Sequence, residues 1–185
     1  PSGKKILEEG YHRGVKMGVR TVYDQATGAK LSDERYRDGL RDGLAEFWYA
    51  NGKPKSSVRY KMGKRDGKYQ EWYSNGERRL SALYLNGKWQ GQFTEFYSNG
   101  NKRLEAHLNQ GLYEGDFALW YSTGKRQSER TYSKGFIDGL FKEWDGAGTL
   151  ITSSRYVNGK LDKFTTLLPA PGMRRLAATQ GEAVL

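Results

Sequence analysis

Large and polar side chains alternate along this chain in short runs. Tyr69, Glu71 and Tyr73 fall on one side of a run that starts at Lys68, and Leu80, Ala82 and Tyr84 keep the same period of two. That period is the mark of a half-buried strand, and the runs between glycines are too short for helices of ordinary length. Asn51-Gly52, Asn75-Gly76 and Asn99-Gly100 stand between such runs. They predict tight hairpin turns, because both residue types tolerate positive φ.

The glycines place these runs in a larger pattern. One series is Gly39, Gly63, Gly87, Gly111, Gly135 and Gly159; a second is Gly43, Gly67, Gly91, Gly115 and Gly139; a third is Gly28, Gly52, Gly76, Gly100, Gly124 and Gly148. Each series has a step of 24 residues, apart from a first copy that is one residue longer around Asp24 to Gly28. A fixed period of this size marks a repeat array in which each unit touches only its neighbours. The copies starting at Tyr36, Tyr60, Tyr84 and Tyr132 agree closely, and Leu108 takes the place of the leading tyrosine in the copy between the last two. Six full copies are legible, and Pro1-Ser2-Gly3 matches Ser74-Asn75-Gly76 as the remnant of an earlier hairpin.

Each copy therefore reads as one β-hairpin, joined to the next by a Gly-x-x-x-Gly loop such as Gly63 to Gly67. The fold class is all-β: an elongated single antiparallel sheet of stacked hairpins over residues 1–160, each copy advancing about 10 Å and the whole about 60 Å. Residues 161–185 form a tail in which Pro169 and Pro171 break any sheet, irregular or with a short helix over Met173 to Gln180. Rings at equal positions form columns: Tyr36, Tyr60, Tyr84, Tyr132 and Tyr156; Trp48, Trp72, Phe96, Trp120 and Trp144; Tyr49, Tyr73, Tyr97 and Tyr121. A two-residue turn at Asn75-Gly76 pairs Trp72 with Arg79 and Phe96 with Arg103 on one face. A three-residue loop slips the register and exchanges those pairings, so the facing is open at this level.

Composition narrows the chemistry. Only 36% of residues are hydrophobic while 14% are aromatic, so rings must supply much of the buried area. There is no cysteine, which excludes disulfides, thiolate metal sites and a thiol nucleophile. His12 and His107, the two histidines, stand in distant copies, so neither a metal site nor a Ser-His-Asp relay can use both. Glu71, Glu95 and Glu143 recur at one position of the repeat, which fits bonding to a neighbouring tyrosine hydroxyl better than a catalytic dyad. No catalytic or cofactor set is expected. The formal net charge of +10 favours an acidic partner, and Lys53, Lys55, Arg59, Lys61, Lys64, Arg65 and Lys68 crowd one part of the array. Such side chains also serve to block edge-to-edge association of sheets.

The pattern Tyr-x-x-Gly-x-x-x-Gly-x-x-x-x-Trp-Tyr-x-x-Gly, as in Tyr60 to Gly76, resembles the MORN repeat in its bacterial variant form, over roughly Gly3 to Lys160. The resemblance implies an elongated, twisted sheet and no shared catalytic residues. Eukaryotic arrays of this kind are linked to membrane lipids and scaffolding. Bacterial relatives look like antitoxins or immunity proteins, including partners of secreted phospholipase-type effectors, with type VI secretion as the setting. Leu108 and Asp145 depart from the pattern and point to a bend or a cap.

The resulting expectation is a protein that binds and neutralises a bacterial toxin, acidic where they touch. Trp72, Phe96 and Trp120 with Arg79, Arg103, Tyr73 and Tyr97 are its candidate contact residues, types that dominate interface energetics. The alternative is a membrane-surface scaffold that holds anionic lipid by its basic side chains. Nucleic acid is a weaker candidate, and pairing between sheet ends offers a route to homo-oligomers. A start at Pro1, without methionine, fits a processed exported chain and so the periplasm.

Overall fold

The computed structural model describes residues 4–165. Fifteen strands join in one antiparallel sheet that follows chain order from Leu7–Glu8 to Lys160–Thr165, and its two ends do not pair with each other. No helix occurs among the described residues. The expected open sheet of stacked repeats is what the chain forms. Its last strand, Lys160–Thr165, pairs with Leu150–Val157 and carries the sheet five residues past Lys160. The expected helix over Met173 to Gln180 and the remnant at Gly3 lie outside the described residues.

Two kinds of turn alternate, and they exchange the roles the sequence suggested. The two-residue turns are Arg13-Gly14, Asp38-Gly39, Met62-Gly63, Asn86-Gly87, Gln110-Gly111, Lys134-Gly135 and Asn158-Gly159, with both residues at positive φ, for example 46° at Met62 and 78° at Gly63. This is the type I′ geometry that matches strand twist. The Gly-x-x-x-Gly segment is thus no linking loop. Strand Lys64–Trp72 begins directly after the turn and runs through Gly67, where the register slips between Tyr60↔Arg65 and Val58↔Tyr69.

The Asn-Gly dipeptides sit in longer loops. Of Asn75 and Gly76 only the glycine has positive φ. Gly76 N–H donates to the Tyr73 carbonyl at 2.9 Å and Tyr73 N–H donates to the Glu77 carbonyl at 2.8 Å, which encloses three residues, Ser74 to Gly76. Asn75 serves the loop by its side chain, whose Oδ1 accepts the Glu77 N–H at 3.0 Å. Beyond the loop Trp72 faces Arg78 while Glu71 faces Leu80, so Arg79 is the extra residue of a bulge.

This register fixes the faces. Tyr69 opposes Ala82, Glu71 opposes Leu80 and Gly67 opposes Tyr84, so these side chains share one face, here the core face. Leu80, Ala82 and Tyr84 are buried there, as are Leu104, Ala106 and Leu108 one copy later. Rings complete the cover: Tyr84 stacks on Trp89 with centroids 3.8 Å apart, and Tyr69 meets both edge-on. Lys68, Gln70 and Trp72 point to the other, tryptophan face. Leu108 fills the tyrosine column, 6% exposed, and the sheet continues past it.

Candidate protein-binding face

The side chains that lock one copy to the next come first, because they account for several residues the sequence offered as contacts. Tyr49, Tyr73, Tyr97 and Tyr121 each donate their hydroxyl to the carbonyl of the Trp-column residue one copy on, at 2.8–2.9 Å. Asn51, Asn75 and Asn99 do the same toward Ser74, Ser98 and Ser122. At the opposite rim Asp66, Gln90 and Glu114 accept the N–H of Asn86, Gln110 and Lys134, the positive-φ residues of the following turns.

The expected site is divided between the two faces. Trp72, Phe96 and Trp120 form one column on the tryptophan face. Arg79 and Arg103 lie on the core face, where Arg79 pairs with Glu71 at 2.6 Å and Arg103 pairs with Glu95. With Tyr73 and Tyr97 they line a small cavity of about 220 Å³. Of the two registers the sequence leaves open, the chain takes the one set by the three-residue loop, which shifts the arginines by one position, and one position inverts the face. Glu71 also accepts from the Tyr69 hydroxyl, the structural role expected of it. Burial and that bond push the Tyr69 hydroxyl well above its usual pKa.

The tryptophan face carries a continuous groove made of three adjoining hollows. The largest, about 710 Å³, is lined by Gln92, Glu105, His107, Asp116, Ala118 and Arg126. It shares Asp116, Ala118 and Arg126 with a hollow of about 380 Å³ that extends to Glu129, Thr131, Leu140 and Lys142. It shares Gln92 with a third, about 220 Å³, bounded by Lys68, Ser81, Leu83 and Thr94. The lining Arg126 carries its guanidinium 4.6 Å from the Trp120 ring centre, and the Lys102 ammonium lies 5.7 Å from the same centre. Gln92 donates to Glu105 at 2.9 Å, and Lys102 and Lys142 hold Glu105 and Glu129 at 3.1 Å. The groove thus mixes fixed charges of both signs with the exposed apolar side chains of Leu83 and Leu140. Apart from Lys68, which belongs to the basic run, and His107, one of the two histidines, these lining residues were not singled out from the sequence; their only signal was the loop length that sets which side chains face together.

Among the described residues no group of three or more His, Asp or Glu side chains gathers as a metal site. His107 borders the groove, whereas His12 lies in the separate short pairing of Tyr11–His12 with Val15–Lys16.

The chain is an open sheet built of equal hairpin units with hollows on one face, which makes it a β-hairpin repeat protein. Residues 41–62 and 65–88 match the family described as MORN repeat variant, whose repeats are generally protein- or lipid-binding modules and are not catalytic. No curated protein matches the chain. Among solved structures, one described as the crystal structure of the GtfA/B complex bound to UDP and GlcNAc is similar over 71% of this chain and 24% of that chain, at 18% identity and a TM-score of 0.27. At that level the likeness says nothing of what this chain binds.

Proposed function

We propose that this chain is a binding protein for another protein, of the immunity or antitoxin kind, which neutralises a bacterial toxin by direct contact. The toxin class the resemblance suggests is a secreted phospholipase-type effector met in the periplasm. The observation that carries the reading is the groove of the tryptophan face. It crosses several copies, its lining Arg126 lies over the Trp120 ring, and Glu105 and Glu129 within it are held by Lys102 and Lys142. Rigid aromatic and arginine anchors are the groups that concentrate binding energy in protein interfaces, and preorganised side chains lose little freedom when the partner arrives.

Co-expression with the product of a flanking gene tests the reading. Growth should recover, the two proteins should co-purify, and Trp120→Ala or Arg126→Ala should weaken both effects. Growth recovery that survives the double substitution Trp120→Ala/Arg126→Ala would remove this face as the contact. Sedimentation with phosphatidylglycerol vesicles, reversed by salt and absent with phosphatidylcholine alone, would instead favour the lipid scaffold.

A further inference from the structure

The copies act as internal controls for one another, and one column of the core face breaks its pattern twice. It runs Glu34, Val58, Ala82, Ala106, Arg130, Ser154. Ala106 is 3% exposed and lies opposite Phe93 and Phe117 on the two neighbouring strands. Arg130 occupies the corresponding slot, opposite Phe117 and Phe141. Alanine closes such a slot in the copy before, so packing does not require the guanidinium.

The two charged members differ in how they are answered. Glu34 is buried and held by Arg20 at 3.0 Å and Arg41 at 2.5 Å. Arg130 makes no ion pair among the described residues. Its guanidinium carbon lies 4.7 Å from the Phe117 ring centre and 5.3 Å from that of Phe141. One terminal nitrogen donates to Ser128 Oγ at 3.3 Å, and the buried Nε has no partner. The two preceding copies carry Glu71 with Arg79 and Glu95 with Arg103; this copy has Leu119 and Gln127 at those positions. It has therefore lost the Glu–Arg pair of the earlier copies and gained a cation, and Glu143, opposite Ser128 on the following strand of the same face, forms no ion pair with it among the described residues.

We infer that Arg130 is an anchor for a carboxylate side chain of the partner protein, received on the core face between Phe117 and Phe141. This rests on the protein-binding reading and extends the contact to the second face. The two rings lower the polarity beside the guanidinium while leaving the residue half-exposed, which strengthens a charge-assisted hydrogen bond to an incoming carboxylate. The planar fork fits a carboxylate in a way an ammonium does not.

A short, end-blocked glutamate peptide titrated against the full chain tests the inference. Parent protein should bind it, Arg130→Ala should lose about tenfold in affinity, and Lys61→Ala, the same loss of charge at a remote exposed site, less than about twofold. Arg130→Ala should melt no lower than the parent, as Ala106 leads one to expect. Arg130→Lys keeps stem and charge but loses the fork, and it should weaken binding too. Equal losses in Arg130→Ala and Lys61→Ala, parent-like binding by Arg130→Lys, or no binding by the parent would each overturn the inference. Toxin neutralisation by the parent stands apart from all three, so the protein-binding reading can survive this anchor.

Discussion

A single tyrosine hydroxyl per copy joins that copy to the next, and its geometry makes its cost measurable. Tyr73 donates to the Phe96 carbonyl at 2.8 Å. Tyr73→Phe keeps the ring and removes only this bond, so it should lower stability by about 1 kcal/mol. Urea unfolding should show a reduced midpoint at unchanged slope. Two positions in this column carry aspartate, and they behave differently. Asp145 accepts N–H groups of its own loop, from Ala147 at 2.9 Å and Thr149 at 2.8 Å, and Asp24 does so from Ala26 and Thr27. The backbone N–H of Thr149 is the main reason the Asp145 carboxyl lies below its usual pKa, and Thr27 plays that part for Asp24. A carboxyl depressed in the folded state adds stability above its unfolded pKa, about 4, and loses it as pH falls through the lower folded value. Asp145→Asn should therefore melt below the parent at neutral pH, and the difference should shrink as the solution is acidified below about pH 4.

At the scale of the element, the turns carry the less obvious information. Met62 holds φ 46° in a two-residue turn where Asn86 and Asn158 serve in other copies, and it is 68% exposed. A left-handed conformation is unfavourable for an ordinary side chain and mild for asparagine, so Met62→Asn should stabilise by roughly 0.5 to 1 kcal/mol. Thermal melting checks the sign. The same turns show where reading the chain succeeded and where it failed. Period, strand type and the ring columns were legible, because a step of 24 residues repeats them several times over. The register was not, because Asn75-Gly76 carries the strongest two-residue signal yet closes a three-residue loop, while Met62-Gly63 and Lys134-Gly135 form true two-residue turns without that signal. One residue of loop length then decided that Trp72 and Arg79 face opposite ways. The fold was legible without the register and the facing of the candidate residues was not, since a fold needs only the period whereas a site needs the facing.

At the scale of the molecule, equal units and seams confined to neighbours make length adjustable. Removal of residues 73–96, one period of 24 residues, joins Trp72 to Tyr97 and restores every seam partner: Tyr49 still meets the Trp72 carbonyl, and Tyr97 still meets that of Trp120. The shortened chain should fold to the same sheet with one repeat fewer, about 10 Å shorter. Removal of residues 73–84 alone puts the wrong face of each later strand inward and should leave an aggregating product. Small-angle scattering separates the two results.

The seams also have a direction. In the bonds described above, the side chain belongs to the earlier copy and the group it grips in the later copy is main chain. In these bonds a newcomer offers only its backbone, although its rings, such as Tyr84 and Trp89 against Tyr69, still pack across the seam. That leaves the seam hydrogen bonds intact when a later unit such as the one with Leu119, Gln127 and Arg130 diverges, and it gives a growing polypeptide a finished foothold for each unit as it leaves the ribosome.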